Sequence, residues 1–140
     1  MINFFSENGY VLQQQDSIRN WISSIISSEA YEEGNIDFVF CDDSFLLELN
    51  VQFLNHDTLT DVISFDNSLD REVNGEIYIS TERVEENANK YSVSVEEELL
   101  RVMAHGILHL CGYNDKTAEE SALMRLKEDH YLVIYKNPSS

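Results

Sequence analysis

At 140 residues the chain has the length of one domain, able to bury roughly two-thirds of the surface its unfolded form would expose. A hydrophobic content of 43% excludes a disordered tail, no apolar run approaches the roughly 20 residues needed to cross a bilayer, and the opening MINFFSENGY lacks a basic signal-peptide head, so a cytoplasmic protein with no membrane partner is expected. Twenty-six acidic against nine basic side chains leave a net charge of −17, which argues against affinity drawn from a broad phosphate-binding surface.

Ile2 to Phe5 and Tyr10 to Leu12 are short β-rich runs around Glu7-Asn8-Gly9, a turn signal, so a strand or hairpin opens the fold. A helix follows from Asp16. Its apolar residues Ile18, Trp21, Ile22, Ile25 and Ile26 keep the spacing of one buried face, with Gly34 closing the element. Ile36 to Phe40 reads as a buried strand. Asp42, Asp43 and Ser44 offer caps for a helix from Phe45 to about Leu54. Thr60 to Phe65 and Gly75 to Ser80 are further strands, the second with Ile77 and Ile79 alternating against Tyr78. Ser80 or Thr81 caps a helix to about Tyr91, Ser94-x-x-Glu97 opens the next, and Thr117-x-x-Glu120 opens a last one carrying Leu123, Met124 and Leu126. Beyond His130, Tyr131 to Tyr135 is a β-like run. The expectation is an α+β fold, a single mixed sheet of about four strands packed with about five helices.

The stretch richest in chemistry is HGILHLCGYND, His105 to Asp115. Residues four apart stack on one helix face, so His105 and His109 can aim both imidazoles at one point. Gly112 suits the left-handed end of a helix and turns the chain so that Asp115 can swing back towards them. Two imidazole nitrogens beside a carboxylate oxygen suit zinc, and three protein ligands with an open fourth position are the catalytic arrangement. The spacing matches the long frame of zinc peptidases, but the glutamate they carry after the first histidine as general base is Gly106 here. Asp61 is a candidate base only if its strand passes the metal. Tyr113 and Asn114, between the ligands, either contact substrate or shape the turn. Cys111 and Cys41 form no C-x-x-C frame and read as buried thiols, while His56 and His130 read as exposed side chains. Lys and Arg are absent between Asn20 and Asp70 and gather in the second half, which leaves room for a local basic patch near the metal.

His105 to Asp115 resembles the metal-binding stretch of the YbeY proteins, H-G-x-L-H-L-x-G-Y-D-H, with Asn114 at the family aspartate and Asp115 at its third histidine. Thr60-Asp61-Val62-Ile63-Ser64-Phe65 is similar to the family's T-D-V-L-S-F strand, Gly75 to Ser80 to its G-D-I-x-I-S strand, and Leu49-Asn50 to its leucine-asparagine pair. The chain departs from the pattern at Leu54, where the family has an arginine thought to act on RNA, and at Asp66, where it has a proline. The resemblance spans about residues 36 to 126. It implies a zinc-dependent, single-strand-specific endoribonuclease with one Zn2+ per chain held by His105, His109 and Asp115. It also implies a role in maturing the 16S ribosomal RNA 3′ end and in ribosome quality control. Its partners would be ribosomal RNA and the small ribosomal subunit; the net charge, apart from the resemblance, suggests basic ribosomal proteins drawn to the acidic surface. Two alternatives stand beside it: a non-catalytic assembly factor that keeps the metal as a staple, and a metal-dependent hydrolase or peptidase of other specificity.

Overall fold

The computed structural model describes residues 1–54 and 60–137, Leu54 through its backbone alone. The expectations for the side chain of Leu54 and for His56 therefore lie outside the described residues. Four strands, β1 (Ile2–Ser6), β2 (Glu32–Cys41), β3 (Val62–Asp66) and β4 (Glu72–Ser80), form one mixed sheet in the order β1-β2-β4-β3. β1 and β4 both run parallel to β2, and β3 runs antiparallel to β4. Five helices accompany it: α1 (Gln15–Ser28), α2 (Asp43–Leu54), α3 (Thr81–Tyr91), α4 (Val95–Leu110) and α5 (Ala118–Lys136). This is the α+β arrangement that the sequence predicts, and no helix among the described residues is long and apolar enough to cross a membrane.

Three local expectations give way. Of the strand or hairpin expected at the start, the strand forms as β1 and the hairpin does not: Gly9 turns the chain at φ 78°, and β1 spends its hydrogen bonds on β2, with Glu7 N–H still donating to Phe40 O at 2.8 Å. Tyr10 then rests on the Phe40 ring, 5.0 Å between centroids, and Leu12 drops into the core. Gly34 does not close α1. The helix ends at Ser28, Ala30 takes the left-handed turn at φ 66°, and the N–H groups of Ala30 and Tyr31 return to Ser27 O and Ile26 O, the double closure usually built on glycine. Gly34 lies instead within β2 beside a register shift, where a Cβ would stand 2.3 Å from Asn74 Oδ1, so only glycine fits.

The Tyr131–Tyr135 run is helical, not extended. α5 continues through it because one helix face then buries Met124, Glu128, Tyr131 and Leu132 together, and Trp21 Nε1 donates to Tyr131 O at 2.8 Å in the core. Packing overrides the β preference of the residue types. The helix starts follow their caps. Ser80, Ser94 and Thr117 each accept from the N–H three residues on, and Thr117 completes the reciprocal box with Glu120. Ser94 supplies only half of its box, because Glu97 pairs with Lys136 instead.

The main core lies between α1, α4, α5 and one face of the sheet, with Ile22, Ile25, Ile36, Phe38, Ile77, Ile79, Met103 and Ile107 buried in it. α4 comes close to β4 through Gly106, where a Cβ would meet Ile77 Cγ2 at 2.9 Å. The residue after His105 thus faces the sheet.

Candidate metal centre

The last turns of α4 place His105 and His109 one turn apart with ring centroids 4.6 Å from each other. Each ring is tied by its other nitrogen. His105 Nδ1 meets Glu128 Oε2 at 2.7 Å, and His109 Nδ1 meets the carbonyl oxygen of Tyr113 at 2.9 Å. The Tyr113 carbonyl can only accept, so His109 Nδ1 donates to it; with His105 Nδ1 likewise donating to the Glu128 carboxylate, the two Nε2 atoms face one another 3.0 Å apart. Unprotonated, these opposed lone pairs call for a cation between them.

The third side of the site follows from how α4 ends. Gly112, at φ 97°, and Tyr113 return their N–H groups to His109 O and Leu108 O, reversing the chain. Three residues later Asp115 Oδ2 stands 3.2 Å from His105 Nε2 and 3.4 Å from His109 Nε2. Ser121 Oγ on α5 holds this loop by donating to the Asp115 carbonyl at 2.9 Å. Among the described residues, His105, His109 and Asp115 form the group of three whose ligating atoms all lie within 4.8 Å of one another. Tetrahedral bonds of about 2.0–2.1 Å set donor spacings of about 3.3–3.4 Å, so the observed triangle is one face of a small tetrahedral site, slightly contracted. The donor set fits zinc, with the fourth direction left to solvent or substrate.

Behind the triad stands a layer of charge. Glu128 is buried, yet one of its oxygens takes His105 and the other accepts from Arg101 at 3.1 Å, while Arg101 also donates to Asp129 at 2.7 Å. Without a metal, desolvation pushes the His105 pKa down, but Glu128, then Asp115 and Asp61, outweigh it and leave it raised. Tyr113 is anchored from the other side: its hydroxyl donates to Glu29 Oε1 at 2.7 Å, and Tyr131 and Lys127 bind the second Glu29 oxygen. Burial alone would raise the Glu29 pKa, but these three partners leave it lowered. Tyr113 therefore shapes the loop, and Asn114 is exposed beside it.

A cleft of about 570 Å³ opens next to the triad, and His105, Asp115 and Asp61 all line it. Asp61 thus shares the cleft with the candidate ligands, from the chain just before β3. Desolvation raises its pKa against the lowering effect of His105 and of local N–H groups. Buried Glu98 lies in the same cleft with its pKa raised by desolvation and by Asp61.

Glu98, Arg101 and Glu128 escape the sequence reading. For the first two a signal exists, since residues 98, 101, 105 and 109 recur at the spacing of one helical face. Glu128 carries none, because it comes from an element distant in the chain. Cys111 is buried, with its thiol pushed up to about 12 by burial, and His130 is exposed against the Tyr131 ring.

The family model described as Endoribonuclease YbeY matches residues 3–136. The Endoribonuclease YbeY of Flavobacterium psychrophilum is 56% identical over 135 residues, covering 96% of each chain, and that of Christiangramia forsetii is 53% identical over 134 residues, covering 96% of this chain and 94% of its own. The solution structure of TM1509 from Thermotoga maritima superposes with a TM-score of 0.68 at 30% identity, covering 96% of this chain and 89% of that one. A family match running nearly end to end, over a chain that folds its most distinctive motif into a three-donor site, places this protein in the endoribonuclease YbeY family.

Proposed function

We propose that this chain is a zinc-dependent, single-strand-specific endoribonuclease that matures the 3′ end of the 16S ribosomal RNA and takes part in ribosome quality control in the cytoplasm. The observation that carries the reading is the triad itself, three donor atoms 3.0–3.4 Å apart with both imidazoles locked by their second nitrogens. Oriented ligands of this kind are what a small metal site needs. One Zn2+ per chain, held by His105, His109 and Asp115, would supply Lewis acidity towards water and towards a phosphoryl oxygen. Glu128 keeps His105 in the tautomer that presents Nε2 to the cleft. Asp61, a carboxyl of raised pKa in the same cleft, would accept a proton from the attacking water as the P–O bond to the leaving ribose oxygen breaks and that oxygen takes up a proton.

The small ribosomal subunit and its RNA are the natural partners of such an enzyme, and the acidic surface would attract basic ribosomal proteins. A peptidase is disfavoured because the position that would bear its general base is Gly106, packed on Ile77. An assembly factor with a structural metal is favoured by one observation, that the triad pins the 111–115 loop to α4.

Metal analysis of chain purified without chelator, beside Asp115→Ala, separates these readings. The enzyme should carry about one zinc per chain and cleave single-stranded RNA, with the variant weakened in metal binding and activity but folded. A variant that keeps its metal sinks the assignment of Asp115 as a ligand. A variant that loses mainly stability, from a wild type that cleaves nothing, identifies a staple.

A further inference from the structure

A chain of net charge −17 spends most of its cations on its own carboxylates. Arg19 pairs with Asp16, Arg83 with Asp43 and Glu86, Lys127 with Glu29 and Lys136 with Glu97. In the cleft beside the triad, Arg101 is likewise consumed, clamped between Glu128 and Asp129 with its side chain 16% exposed. Arg125 is not. It lines the same cleft from α5, its side chain is 59% exposed, and its approach to a carboxylate is Nη1 to Glu128 Oε1 at 3.9 Å, beyond hydrogen-bond reach. Glu128 already receives His105 on one oxygen and Arg101 on the other, and Arg125 adds only a long ion pair to the second. A guanidinium so placed offers its forked donors to an incoming anion.

A second wall of the cleft comes from α3. Asn87 and Tyr91, four residues apart on one helical face, both line it. Tyr91 is 53% exposed, and Lys90 Nζ stands 5.5 Å from its ring centroid. Asn87 is half-buried, and among the described residues its side-chain amide makes no hydrogen bond. An exposed ring, an unused amide and an exposed guanidinium held only by the field of Glu98 and a long ion pair to Glu128 are, around one cleft, the three groups that recognise the base, the base edge and the phosphate of an unpaired nucleotide. A cleft of about 570 Å³ is of the size that binds small ligands.

We propose that this cleft holds a nucleotide subsite beside the metal centre, in which Tyr91 stacks on an unpaired base, Asn87 bonds its edge, and Arg125 takes the phosphate next to the one cut. The subsite rests on the endoribonuclease reading. It explains how so acidic a chain can hold RNA through one local contact, and why the strand must be single: a base inside a duplex has its edge bonded to its partner and both faces stacked on its neighbours, leaving nothing for Asn87 and Tyr91.

Binding of a fluorescein-labelled 2′-O-methyl RNA hexamer, followed by anisotropy across a salt series, tests the subsite without cleavage. Tyr91→Ala should weaken binding by about 5- to 150-fold, the range of one lost base stack. Arg125→Gln should weaken binding and flatten the slope of log K against log salt by about 0.7, one phosphate contact on a single strand, with Arg125→Lys restoring the slope. On a hexamer of abasic sugars Tyr91→Ala should change nothing while Arg125→Gln still acts. Equal affinity and slope for wild type and both variants overturn the subsite. Cleavage of unmodified RNA, run in parallel, separates the two readings. Cleavage by the wild type with variants of unaltered kcat/KM rejects the subsite and keeps the nuclease. Variant-sensitive binding without any cleavage keeps the subsite and rejects the nuclease. No binding even at low salt rejects both.

Discussion

Glu128 and Glu29 act on the two histidines of the triad at different removes. Glu128 reaches the triad directly through His105 Nδ1, and replacing its carboxylate by an amide removes the charge that balances both His105 and Arg101. Glu128→Gln should lower metal affinity by about 10- to 100-fold, as losses behind a ligating histidine do, in a chelator-competition titration. An unchanged affinity would show that His105 needs no carboxylate to hold its tautomer. Glu29 acts one step further out, through the Tyr113 hydroxyl and so on the loop whose carbonyl orients His109. Its pKa is held below the ordinary 4.5, so its contribution to stability is present above that pH and is lost as pH falls through the folded-state value. Glu29→Gln should destabilise the fold by about 1.5–3 kcal/mol at pH 7. The difference between the variant and wild type should shrink below about pH 4.5 in thermal melts. A gap that is the same at acid pH would mean that the charge on Glu29 contributes nothing.

At the scale of elements, α4 carries the site because it packs so closely on the sheet. Gly106→Ala gains about 1 kcal/mol of helix propensity but drives a methyl into the stiff, buried Ile77, for which overpacking costs of about 1–3 kcal/mol are usual. A net loss of stability in urea unfolding is the expected outcome, and a more stable variant would mean that α4 can shift off β4 without strain. The histidine pair, the glycine turn and Asp115 were legible in the chain because all three depend on local geometry, helical period and left-handed glycine. The same locality explains what was not legible. Tyr131–Tyr135 reads as a strand by residue type and becomes helix because its buried face packs in the core, where Trp21, more than a hundred positions away, donates to the Tyr131 carbonyl. Gly34 looks like a helix stop until Asn74 and Val73 from β4 crowd it, and Glu128 gains its meaning only once α5 lies across His105. Contacts between distant elements leave no period in the sequence.

The whole molecule is shaped by its charge. Twenty-six acidic side chains on 140 residues repel one another across a small surface, and the ion pairs that relieve this range from the exposed Arg19 with Asp16, which contributes little, to Arg101 with the buried Glu128. Self-repulsion of this kind acts over the Debye length, which falls from about 30 Å in 0.01 M salt to about 3 Å in 1 M. Added sodium chloride should therefore stabilise the fold, although it weakens each pair, because the like charges far outnumber the opposite ones. A gain of about 1 kcal/mol would appear as a rise of roughly 2–4 °C in Tm. RNA binding should move the other way, since a phosphate held by few cations is released as salt rises. A Tm that stays flat or falls over the same range would mean that the carboxylates are already balanced locally, by ion pairs stronger than exposed ones usually are, and the acidic surface would then have no excess field with which to draw in a basic partner.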